Sequence, residues 1–114
     1  MAKKAPGDIL RQTLAATAGV ATVNRAVLDA AAKDALEPEY YDWVIAVDVD
    51  GGSAATVKVL GPDGTARDFG RTLTNSDIVF IPRPDTSAGG GYSGIQVNFS
   101  GGTAPVLYWS AIHR

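Results

Sequence analysis

The feature that most constrains this chain is its punctuation. From Trp43 onward, short apolar runs are cut by glycine- and proline-bearing segments at intervals too short for a helix to bury a face. Asp50-Gly51-Gly52-Ser53, Gly61-Pro62-Asp63-Gly64 and the stretch from Ser100 to Pro105 are turn signals. Proline presets one backbone angle, and glycine accepts the positive φ that tight turns demand. The runs between them, Trp43–Val49, Ala54–Leu60, Thr65–Phe69, Ile78–Ile81, Ile95–Phe99 and Val106–Ile112, are rich in β-branched and aromatic residues and read as strands. Residues 43–114 are therefore expected to form an antiparallel barrel or sandwich of five to six strands, with a long Pro/Gly loop at 82–94. Helices that could serve as crossovers between strands are absent from this half, which excludes a parallel doubly wound sheet.

The first third reads differently. Residues 1–7 form a lead-in, and residues 8–37 are expected to be helical, with Asp8 as the cap. Val20, Val23, Val27, Ala31 and Ala35 recur at spacings of three and four. Gly19 breaks or kinks the segment into one bent helix or two short ones, and Glu37-Pro38 ends it. The fold class expected from the sequence is thus α+β in a single domain, a size that suits 114 residues.

Composition narrows the chemistry. There is no cysteine, and the single histidine is His113, so disulfides, thiolate catalysis and Cys- or His-rich metal sites are set aside. No run approaches the ~20 apolar residues of a membrane span. Asp8, Arg11 and Gln12 interrupt any signal-peptide core, so the expected product is made and kept in the cytoplasm without touching a membrane. The net charge is −2, with six acidic and no basic side chains between residues 34 and 50. No basic face is concentrated in the β half, which argues against nucleic acid as partner.

Three motifs carry possible chemistry. Val44-Ile-Ala-Val-Asp48-Val-Asp50-Gly51-Gly52 resembles the opening motif of haloacid-dehalogenase-type phosphotransferases, in which the first carboxylate is the nucleophile and the second an acid/base beside magnesium. That family continues with Thr or Val where Gly52 stands and requires a βαβ body, so the resemblance stops at these nine residues. Asp48 and Asp50 also begin like a calcium loop, but Val59 occupies the twelfth position, where a glutamate belongs. Gly89-Gly90-Gly91-Tyr92-Ser93-Gly94 satisfies the dinucleotide pattern G-x-G-x-x-G in letters alone, since it lacks a preceding strand and a following helix. No cofactor is expected.

The last strand is more telling. Tyr108 falls on one face of Val106–Ile112, Leu107 and Trp109 on the other, and bulk on both faces demands cover on both. Leu107, Tyr108, Trp109 and, from the long loop, Arg83 and Tyr92 are the candidate partner contacts. The function expected is that of a non-enzymatic structural protein. It would contact copies of itself or other structural proteins in a homo-oligomer or larger particle. Small virion components of tailed phages (capsid decoration, head–tail connector and tail-completion proteins) share this organisation. The alternatives are a ligand- or nucleic-acid-binding barrel using Tyr92, Arg83, Arg67 and Arg71, and a metal-dependent hydrolase using Asp48 and Asp50.

Overall fold

The structure, a computed structural model, describes residues 9–31, 41–75, 77–82 and 92–113. Among them are eight strands and one short helix: β1 (Ile9–Ala15), β2 (Val20–Val23), α1 (Arg25–Ala31), β3 (Tyr41–Asp48), β4 (Ala54–Leu60), β5 (Ala66–Leu73), β6 (Ile78–Ile81), β7 (Gly94–Ser100) and β8 (Val106–His113). The expected α+β class and its helical N-terminus are overturned, because β1 and β2 stand where a helix is expected and α1, seven residues long, is the one helix among the described residues. From residue 41 onward the described chain holds six strands, and β1 and β2 bring the sandwich to eight.

The physical reason lies in ambiguous letters. Ile9–Ala15 places Leu10 and Leu14 four apart, as a helix would, but also two steps apart in an alternation through Gln12. Pairing with β8 decides for the strand, since Ile9 to Ala15 align antiparallel with Ile112 to Val106. Gly19 is no helix kink. Ala18 and Gly19 have φ of 53° and 80°, and Thr17 and Val20 exchange backbone hydrogen bonds of 2.9 and 3.1 Å. Positive φ at both central positions makes this a tight type I′ turn. Asn24 caps α1: its Oδ1 accepts from the Val27 amide at 3.2 Å. The proposed cap, Asp8, lies outside the described residues. Because alanine resists the left-handed region, Ala18→Asn is expected to stabilise the protein by about 0.5–1 kcal/mol. A chemical unfolding midpoint that stays put or falls would contradict this.

The strands form two four-stranded sheets, sheet A in the order β1-β8-β3-β6 and sheet B in the order β2-β7-β4-β5. Every pairing is antiparallel. β1 pairs with β8, β2 with β7, β3 with β6 and β4 with β5, so the chain is one long antiparallel ribbon folded at the β4–β5 hairpin. Wound on itself, the ribbon adds the β8–β3 and β7–β4 contacts. This strand order is the jelly-roll topology. The core is a single cluster between the sheets: Trp43, Ile45, Leu107, Trp109, Val79 and Ile81 from sheet A meet Val23, Val57, Val59, Leu73, Ile95 and Val97 from sheet B. The long-range ribbon leaves each sheet one inner face in the core and one outer face to be accounted for.

Candidate protein-contact face

Strand alternation decides which residues reach the outer faces, and the two faces differ in kind. On sheet B, the register places Thr22, Gln96, Asn98, Thr56, Lys58 and Thr72 outward. Gln96 Nε2 donates to Thr22 Oγ1 at 3.2 Å, and Asn98 Nδ2 donates to Gln96 Oε1 at 3.2 Å. This is a hydrogen-bonded polar ladder suited to water.

The outer face of sheet A is apolar at its centre. The register aligns Thr13, Tyr108, Ala46 and Ile78 in one row across the four strands. The next row carries Ser110, Val44 and Phe80 on β8, β3 and β6. Ile78 is 70% exposed, Phe80 54% and Tyr108 44%. Between these bulky groups, Thr13, Val44, Ala46 and Ser110 floor a groove of about 540 Å³. Large apolar groups thus stand beside small ones over an open groove, in contrast to the polar outer face of sheet B, and contiguous exposed apolar patches are the surfaces on which interaction sites are sought.

The edge that bears Ile78 and Phe80 is limited, among the described residues, by its four-residue length alone. β5, the edge of sheet B, breaks its register between Val57 and Lys58 and carries Arg67, Asp68 and Arg71. Both bulges and charges discourage pairing with other chains. β6, Ile-Val-Phe-Ile, has neither. The turn leading into it is held by Asp77, whose Oδ2 accepts from the Thr74 amide at 2.8 Å and from Thr74 Oγ1 at 3.0 Å. These bonds, aided by Arg71, hold the Asp77 carboxyl below the usual carboxylate range. A depressed carboxylate stabilises the fold above its unfolded pKa, and the gain is lost as pH falls through the folded value. Asp77→Asn is therefore expected to lower stability at neutral pH and to narrow its gap to the parent in acid. A gap constant from pH 7 to pH 2.5, in urea titrations, would contradict the assignment.

The sequence-predicted contact residues separate. Tyr108 stands on the outer face, whereas Leu107 and Trp109 are buried in the sandwich, where sheet B supplies their cover. Tyr92 is partly buried against the core, and Arg83 lies outside the described residues. The proposed binding set of Tyr92, Arg83, Arg67 and Arg71 does not converge on a basic face among the described residues. Arg67 lies 4.0 Å from Asp63 with its guanidinium against Gly61. Arg71 stands beyond the β5 irregularity. Ile78 and Phe80 were missed; the signal was the charge-free alternation of Ile78–Ile81, in which burying Val79 and Ile81 leaves the other two outside.

Asp48 and Asp50 sit where the β3–β4, β5–β6 and β7–β8 connections meet at one end of the sandwich, and they are engaged in backbone bonds. Asp48 Oδ1 accepts from the Asp50 amide at 2.9 Å, and Asp50 Oδ2 accepts from the Ala104 amide at 2.8 Å. The Asp50 carbonyl takes the Thr103 amide at 3.1 Å, and nearby Asn75 Oδ1 accepts from the Val49 amide at 2.7 Å. The acidic pair fastens loops together. Among the described residues no group of three or more His, Cys, Asp or Glu side chains converges as a metal site would require. No described helix is long and apolar enough to cross a membrane.

Comparison with known proteins adds no relative: no family model, no curated protein and no solved structure matches the chain.

Proposed function

We propose that this chain is a non-enzymatic structural protein that works through protein–protein contacts, with copies of itself or within a larger assembly. The outer face of sheet A carries the proposal: Ile78, Phe80 and Tyr108 stand exposed around a groove, while the opposite face of the same sandwich is a polar ladder. The engagement of Asp48 and Asp50 in loop fastening supports the non-enzymatic part.

A virion component is one setting for such a protein. Jelly rolls build capsids, but they also build lectins and cupins, so topology alone does not choose among them. The helical N-terminus that made part of the likeness to tail and capsid components is replaced by strands, and the assembly reading now rests on the apolar face. Size fractionation of a native extract tests it. The chain is expected to run in a complex well above 11.8 kDa, and the double substitution Ile78→Asp, Phe80→Asp is expected to release it. Parent and variant eluting alike at monomer size would overturn the proposal.

A further inference from the structure

We infer that the outer face of sheet A is self-complementary and takes a second copy of this chain, face to face across a two-fold axis. The inference rests on the assembly reading above and names its partner.

The face alternates in height from strand to strand. β1 presents the small Thr13 and Ala15 with Arg11 at the register position of Ser110, β8 the large Tyr108, β3 the small Ala46 with Val44, and β6 the large Ile78 and Phe80. Consider a two-fold axis parallel to the strands, midway between β8 and β3 and just above the face. It lays β8 over the partner's β3 and β6 over the partner's β1, and it keeps each row at its own height. In one row Tyr108 then stands over Ala46 of the partner subunit, and Ile78 over Thr13 of the partner subunit. In the next, Ser110 meets Val44 of the partner subunit, and Phe80, at the rim, comes over the position of Arg11 of the partner subunit. Large residues meet small ones throughout that first row, and the two-fold repeats each contact, as an isologous interface requires. The groove floored by Ala46 and Ser110 becomes the socket for the partner's tyrosine.

Area selects this arrangement over the obvious competitor. The four strands β1, β8, β3 and β6 hold seven, eight, eight and four residues, which at ~4.8 Å spacing and ~3.4 Å rise give roughly 440 Å² in flat projection. Two copies cover about 900 Å² in projection, and the relief of Tyr108, Ile78 and Phe80 adds accessible surface that brings the pair near the ~1,000 Å² lower bound for a specific interface. Pairing two β6 edges instead offers only four residues, ~13 Å of strand, too little to reach that bound. Sheets stacked in this way lie ≈ 10 Å apart with their strands within about 30° of alignment, so the row-over-row match survives the twist best at the centre, where Tyr108 and Ala46 sit.

Light scattering on the purified chain over a concentration series tests this. The expected mass is twice 11.8 kDa, and Tyr108→Ala is expected to weaken self-association at least about tenfold. Ala46→Trp and Thr13→Trp, which fill the sockets, are expected to give monomers, while Thr56→Trp, on the outer face of sheet B, leaves the dimer intact. Circular dichroism confirms the fold of each variant; Thr13 is exposed, so its variant carries the test if Ala46→Trp does not fold. A dimer indifferent to both socket substitutions is paired elsewhere and overturns the inference, as does a mass beyond two copies. A monomer at every concentration overturns it too. If the chain nonetheless runs in a large complex in the extract, the assembly reading stands with a different partner; if it does not, both fall.

Discussion

Trp43→Ala is expected to destabilise the protein by about 3–5 kcal/mol, while Trp43→Phe costs no more than ~1.5 kcal/mol. Trp43 and Trp109 are 0% and 2% exposed, on adjacent strands of sheet A, with ring centroids 5.9 Å apart and planes tilted by 54°. Tyr41 extends the cluster, 6.0 Å from Trp43. Truncation to alanine removes most of this packing and leaves a cavity the rigid sandwich cannot collapse. Phenylalanine behaves differently because both indole Nε1–H groups are buried with no hydrogen-bond partner among the described residues. An unsatisfied buried donor costs ~1–3 kcal/mol, so removing it offsets much of the lost volume. The same contrast is expected at Trp109, and the two positions should couple by ~0.5–1.5 kcal/mol in a double-mutant cycle, the scale of an aromatic pair. Urea unfolding monitored by circular dichroism measures all of these. Phenylalanine variants as damaged as the alanine ones would show that the indole nitrogens do have partners.

Gly94→Ala is the other large effect. Gly94 opens β7 opposite Leu60. A Cβ there would collide with the backbone carbonyl of Val23 and lie 3.1 Å from the Leu60 side chain. Side-chain crowding can relax by rotamer changes, but here the obstacle is the main chain of β2, whose shift disturbs its pairing with β7. The expected cost is at the upper end of the ~1–3 kcal/mol range for overpacking, or beyond it. Gly64→Ala is the control. A Cβ at Gly64 meets nothing within 4 Å, but φ is +82°, so only the left-handed penalty of ~1–2 kcal/mol applies. If Gly64→Ala proved the more damaging of the two, the close approach of β2 to β7 would be wrong.

Much of the β half was legible because its punctuation is local. Ala54–Leu60 and Ile78–Ile81 were bounded by their flanking turns, and β4 and β6 have those limits. β1 and β2 were not legible, because Ile9–Ala15 satisfies two periodicities at once and its partner, β8, lies at the far end of the sequence. Val20 and Val23 fit a helical stripe with Val27 for the same reason, while Ala21 and Val23 are the pair that points into the core. At the proposed contact face, Tyr108 was visible from the bulk on both sides of β8. The destination of Leu107 and Trp109 was not, since only the sheet order shows which side the sandwich closes. Nor could the letters show that Asp48 Oδ1 takes the Asp50 amide of its own turn while Asp50 Oδ2 takes the Ala104 amide of the β7–β8 loop.

The pairing of the earliest strand with the last sets a schedule for folding. The β4–β5 hairpin around Gly61–Thr65 joins near neighbours, and its Gly64 amide closes on the Gly61 carbonyl at 2.9 Å, so it can form while the rest is still loose. Each further pair of the ribbon closes a longer loop, out to Ile9 against Ile112, and such non-local contacts are slow to find. Until β8 arrives, both long edges of its place in sheet A, along β1 and β3, stay open. A chain emerging from the ribosome therefore carries an unsealed sheet until β8 is out, and that window is when it is most exposed to misassembly with its own copies.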